Sequence, residues 1–174
     1  MGLGNAHTRL RNYAKAESAF ERAIELTQSP TAETIALLAQ AKARLGKDVE
    51  ALTFFDKALA IDPHEPVAVG GKAGLLQTLG QFEEAQTMFR LGFEVDPLNG
   101  ENYRQFMSSY RAKPGDPVVE QMREQHKDVR LDDVNRMNLS YALAKALEDI
   151  KEDESVFRYL DEANALMKKA YSYD

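Results

Sequence analysis

Arg104, Ser108 and Arg111 stand four and three residues apart, a spacing that puts side chains on one stripe of a helix. Two guanidiniums flanking a hydroxyl can grip a carboxylate, because Arg offers it a planar fork of donors. Other chemistry is scarce. The chain has no cysteine, so thiol nucleophiles, disulfides and Cys-ligated zinc are excluded. His7, His64 and His126 form no i, i+4 pair of the kind a helical zinc site uses. Gly70, Gly71 and Gly74 cluster inside a helical pattern, not between a strand and a helix where a phosphate cradle forms. They are expected to let helices approach closely. No P-loop, Rossmann fingerprint or Gly-x-Ser-x-Gly elbow occurs. Glu148-Asp149 and Lys151-Glu152-Asp153-Glu154 read as a solvated turn. The expectation is a chain with no catalytic residue, no metal and no cofactor, whose work is binding.

Composition narrows the partner. There are 22 Lys and Arg against 28 Asp and Glu, a net charge of −6, which argues against nucleic acid and anionic membranes. Hydrophobic residues make up 44% and charged residues 29%, globular proportions that argue against wholesale disorder. No apolar run approaches the roughly 20 residues of a membrane span. Met1 to His7 lacks the apolar core of a signal peptide. A cytoplasmic location and a protein or peptide partner are expected.

The elements that position these residues come from a repeat. Ala-x3-Phe occurs as Ala16/Phe20, Ala51/Phe55 and Ala85/Phe89, and a small residue follows each Phe: Ala23, Ala58 and Gly92. A second series, Leu3-Gly4, Leu38-Ala39, Lys72-Ala73, Phe106-Met107 and Leu143-Ala144, advances by 35, 34, 34 and 37 residues. The first series continues to Val119 and Val156 by the same steps. The units are 1–30 with a truncated first helix, 31–64, 65–98, a degenerate 99–132, and 133–174.

Each unit reads as two helices. Ile35, Leu38, Ala39, Lys42 and Leu45 follow the i, i+3, i+4, i+7 pattern. Gly46 stops that helix and Asp48 is placed to cap the next. Asp62-Pro63 ends the second helix, because a residue before proline disfavours helical ψ. Pro66 can open another without losing a needed donor. One such hairpin cannot bury its apolar face alone, whereas stacked copies can.

Leu3-Gly4-x2-His7, Ala51-x3-Phe55-x2-Ala58 and Pro63 resemble the tetratricopeptide repeat, a pattern of 34 residues. Residues 1–98 match well, and Leu79 through Pro97 is closest to the consensus. The usual early tryptophan is absent, with Ile35, Val69, Tyr103 and Ser140 in its place. Residues 99–132 depart more: Arg123 stands where the phenylalanine belongs and His126 where the small residue belongs. The resemblance implies an all-α, right-handed α-solenoid of antiparallel helix hairpins, with about five units and about ten helices. It also implies that the first helix of each unit lines a concave groove. In the second unit that wall is Glu33, Ala36, Gln40 and Ala43 with Arg44; in the third, Val67, Gly70, Gly74 and Gln77. In the fourth it is Glu101, Arg104, Ser108 and Arg111; in the fifth, Asn138, Tyr141, Lys145 and Glu148. The first unit supplies Asn5, Thr8 and Arg9. The resemblance thus makes Asn5, Arg9, Gln40, Arg44, Gln77, Arg104, Ser108, Arg111, Tyr141 and Lys145 the partner-binding set. Its arginines and lysine suit an extended acidic peptide, unless they pair with Glu33, Glu101 and Glu148.

The C-terminal stretch has two further readings. Leu131-Asp132-Asp133-x2-Arg136, Tyr141 to Asp149, and Ala163 through Tyr173-Asp174 resemble the last repeat of bacterial proteins that join such repeats to a sulfotransferase domain. The alternative this implies is a regulatory or substrate-recruiting region of a larger enzyme. From Asp153 onward, Val156, Phe157, Leu160, Ala163, Leu166, Met167 and Ala170 make one broad apolar face. Leu166, Met167 and Tyr171 are expected to dock a downstream domain or a second copy of the chain, unless they only cap the fifth hairpin.

Overall fold

The computed structural model describes residues 2–170. Among them are ten α-helices and no strand: α1 (Gly2–Arg9), α2 (Tyr13–Glu25), α3 (Ala32–Arg44), α4 (Asp48–Ile61), α5 (Pro66–Thr78), α6 (Phe82–Val95), α7 (Gly100–Ser109), α8 (Pro117–His126), α9 (Asp133–Ile150) and α10 (Asp153–Ala170). No helix among the described residues is long and apolar enough to cross a membrane. The chain forms two compact units, Met1–Val95 and Asp96–Asp174.

In the first unit α1 packs on α2, α3 on α4 and α5 on α6, while α2–α3, α4–α5 and α3–α5 contacts join the pairs. The repeated positions are the core. Ala16, Phe20, Ala51, Phe55, Ala85 and Phe89 are all fully or almost fully buried. Each ring contributes about 1.5–3 kcal/mol by leaving water. The small residues make room for them: a Cβ on Gly71 would lie 2.5 Å from the Phe55 ring. The expected close approach is therefore met at this glycine.

The turns follow the sequence with one correction. Gly46 and Gly80 have φ of +73° and +78°, and the residue after each donates its N–H back to Lys42 O and Leu76 O. This is the left-handed stop that glycine adopts without a Cβ penalty. Gly80→Ala is therefore expected to cost about 1–2 kcal/mol. Urea unfolding followed by circular dichroism would measure it, and an unchanged midpoint would contradict the left-handed turn. Asp62 is extended and Pro66 opens α5, as expected. Asp48 is not a cap. It is the first residue of α4, Lys47 holds the cap position without a side-chain bond, and the Asp48 carboxylate instead sits by the positive end of the helix.

A buried ion cluster staples α2, α3 and the start of α4. Lys42 Nζ donates to Glu17 at 2.7 Å, Glu50 at 2.9 Å and Glu21 at 3.0 Å, and Lys47 Nζ reaches both oxygens of Glu17 at 2.9 Å. Burial pushes Lys42 toward neutrality, but the carboxylates overcome it and hold its pKa above the ordinary lysine range. Burial likewise raises Glu17, and the two ammoniums more than reverse that.

The second unit is built around α9. Both α7 and α8 pack on α9, as does α10, and α7 and α8 are not closely packed on each other. Arg123 and His126 explain the altered fourth repeat, since neither can fill a dry interface. Arg123 pairs with Glu120 and Glu152, and His126 Nε2 bonds Glu162 at 2.7 Å and Ser140 at 3.0 Å. On α10 the packed face is narrower than the sequence suggests. Tyr159 and Ala163 are its buried residues, while Phe157 is 72% exposed.

Candidate functional site

Two first helices of the repeat, α7 and α9, bring expected groove residues together. Close packing is possible because α7 begins with Gly100, whose N–H donates to Asn135 Oδ1 at 3.1 Å. Asn135 is itself held by Asp132, which caps α9 and accepts both its N–H and its side-chain amide. Those bonds hold the Asp132 carboxyl below its ordinary range. Between the helices lies a cleft of about 410 Å³. Glu101 and Arg104 enter it from α7, Val134, Asn135, Met137, Asn138 and Tyr141 from α9, and Met167 from α10.

The polar groups in this cleft differ in availability. Arg104 donates to Glu101 through Nε at 3.2 Å and Nη2 at 3.1 Å, a forked contact. The Tyr141 hydroxyl donates to Asn164 Oδ1 at 2.8 Å and lies 3.8 Å from Met167 Sδ. Asn138 is different. It is only 7% exposed, it lines the cleft, and its carboxamide has no hydrogen-bond partner among the described residues. Its amide atoms are not among the buried unsatisfied ones, so they reach the solvent of the cleft and can exchange water for a ligand group.

The other expected residues fall as follows. Ser108 is exposed on α7, where its hydroxyl donates to Gln105 O at 2.8 Å. Arg111 is not on the stripe: α7 ends at Ser109, Tyr110 is extended, and Arg111 is carried away from the helical phase. The expected Arg104–Ser108–Arg111 grip is therefore not formed as one helix face. Lys145 is on α9, but Asp149 at 2.6 Å and Glu148 at 3.3 Å engage it, and the Asp149 bond first of all raises its pKa. Asp149 also accepts the Ala112 N–H. In the first unit Asn5 (α1), Gln40 (α3) and Gln77 (α5) are half-buried, while Arg9 and Arg44 are exposed at the ends of α1 and α3. Leu166 is half-buried, and Met167, expected to dock outward, lies beside Tyr141 at the cleft. Tyr171 lies outside the described residues. Among the described residues no cluster of His and carboxylates suits a metal ion.

A second cleft, of about 660 Å³, lies among α8, α9 and α10 and is lined by Arg123, His126, Arg158 and Tyr159 among others. The two residues that depart from the repeat pattern, Arg123 and His126, are both on its wall.

Known proteins bear on this geometry. Tetratricopeptide-repeat family models match residues 1–64 and residues 45–110. The Protein STIP1 homolog of Dictyostelium discoideum is 33% identical over 100 residues, 55% of this chain and 17% of that protein. The chain thus spans 17% of the length of that curated relative. Among solved structures, MamA aligns with 99% of both chains at a TM-score of 0.65 and 13% identity. A Podosopora anserina putative kinesin light chain with nearly identical TPR-like repeats aligns over 97% of this chain and 93% of its own, with a TM-score of 0.64 and 18% identity. YrrB, described as a TPR protein with an unusual peptide-binding site, covers 91% of this chain and 71% of its own, at 0.52 and 16%. At these identities the structures show a shared fold.

Proposed function

This chain has the fold of a tetratricopeptide-repeat array, with the repeat matched over residues 1–110, and from that premise we propose a non-catalytic scaffold that holds an extended segment of another protein against its first helices. The observation that carries the reading is the α7–α9 cleft, where groove positions of two successive repeats converge and the Asn138 carboxamide is open. Its volume suits a few residues of extended chain, and its lining of Met, Val, Tyr and two amides beside the Glu101–Arg104 pair offers the mixed apolar and polar contacts that a peptide uses. Tetratricopeptide repeats are interaction modules, and the peptide-binding site named for YrrB occurs on this fold.

The acidic preference expected from the sequence has less support than the groove itself. Arg104 and Lys145 already have carboxylate partners, and Arg111 leaves the stripe. The narrower reading, a substrate-recruiting region of a bacterial sulfotransferase, rests on the motifs of residues 131–174 alone.

The test is selection of a random-peptide library on the whole chain, followed by mapping of the selected peptides on the ¹⁵N-labelled protein. Amide shifts are expected to concentrate on α7 and α9. Shifts confined to the α8–α10 cleft, or no enriched peptide, would contradict the proposed function.

A further inference from the structure

The electrostatics of the α7–α9 cleft differ from what its residue types suggest. The two cations nearest its expected stripe, Arg104 and Lys145, are neutralised within their own helices by Glu101 and by Asp149 and Glu148. A ligand carboxylate could still reach the free Nη1 of Arg104, but it would meet a cation whose charge Glu101 already balances and would lie close to that second anion. The unengaged polar group is the Asn138 carboxamide, which carries one acceptor oxygen and a donor NH₂ side by side. A peptide group offers the complementary acceptor and donor. A lone carboxylate offers acceptors only, so it leaves the amide oxygen unmatched.

Apolar surface flanks that amide. Met137 is buried beside it, and Met167 and Val134, both partly exposed, form walls that reach solvent. Methionine adapts its shape readily and fits unbranched or γ-branched aliphatic side chains. Main-chain pairing at a central amide, with a side-chain seat next to it, is how extended segments are read.

We infer that the α7–α9 cleft takes an uncharged extended peptide segment, with Asn138 paired to its main chain and an aliphatic side chain seated against Met137 and Met167. The inference rests on the groove reading above and specifies the partner's chemistry: a neutral, Leu- or Met-containing stretch rather than an acidic one.

The library selection tests this with readouts that separate it from the groove reading. Enriched peptides are expected to carry an aliphatic residue and no acidic cluster. Binding is expected to change less than twofold when salt is raised, since screening acts on exposed charge pairs. The wild-type Asn138 side-chain NH₂ resonances should shift on binding, and Asn138→Leu should weaken binding about tenfold, as loss of a buried hydrogen-bonding pair does. If acidic peptides are enriched, bind at the same helices and are lost in salt, the inference is wrong and the groove reading stands. The same holds if the Asn138 resonances stay still, even where the Leu variant does not fold. If peptides map elsewhere or none is enriched, both are wrong.

Discussion

Lys42→Met is expected to lower the unfolding free energy by about 3 kcal/mol, the low end for breaking a buried ion pair. The Lys42 side chain is 4% exposed and serves three carboxylates. Without it Glu17, itself 10% exposed, keeps only Lys47. Glu21 and Glu50 reach water and recover hydration, which is why the low end applies. Adding Glu17→Leu to Lys42→Met is expected to recover most of the loss, because a buried carboxylate left with one half-exposed partner is the main penalty. Urea unfolding measures both, and a double variant no more stable than the single one would refute the account. The pH dependence has a fixed sign. Glu17 is held below its ordinary pKa of 4.5, so its contribution is present above that value and is lost as pH falls through the folded one. Lys42 is held above its ordinary value, so its share is present below that value and disappears only as pH rises through the folded one. The native chain should therefore lose its advantage over the double variant on acidification below about pH 4.5 and keep it through mildly alkaline pH.

This cluster marks the limit of what periodicity can reveal. The Ala-x3-Phe series was legible because a small residue and a ring recur at a fixed interval, and Ala51 and Phe55 are buried as that pattern requires. Lys42 also fell on the apolar stripe of α3, but no spacing rule pairs it with Glu17, which lies 25 residues away on another helix. The groove residues were legible in type and only partly in place. Arg104 and Tyr141 reach one cleft because α7 and α9 keep the repeat phase. Arg111 does not, because α7 stops one turn earlier than the unbroken pattern implies, ahead of Pro114 and Gly115. Whether a cation is free or paired depends on rotamers of neighbouring carboxylates, which one-dimensional spacing leaves open. The carboxamide of Asn138 stood on the expected stripe, but its lack of a partner is a property of packing.

Gly100→Ala is expected to destabilise the second unit by about 3 kcal/mol, the upper part of the range for overpacking. A Cβ at residue 100 would lie 2.0 Å from the carbonyl oxygen of Asn135, 2.9 Å from its carbon and 3.0 Å from Leu139 N. These are backbone atoms inside α9, so no rotamer change can move them aside. The start of α7 must lift away, and the bond from Gly100 N to Asn135 Oδ1 goes with it. Gly71→Ala makes a useful contrast. Its new Cβ would meet the edge of the Phe55 ring at 2.5 Å, and a ring can pivot where a backbone cannot. That variant should cost less, about 1–2 kcal/mol. Thermal or urea unfolding of the two variants gives the order directly, and a Gly71 loss equal to or above the Gly100 loss would contradict the close α7–α9 approach. The same displacement bears on binding. Arg104 reaches the cleft from α7, and Asn138 and Tyr141 reach it from α9, so separating the helices widens the cleft without altering any side chain that lines it. A library-selected peptide should therefore bind the folded Gly100→Ala protein more weakly than the wild type, whereas Gly71→Ala, in the other unit, should leave its affinity unchanged.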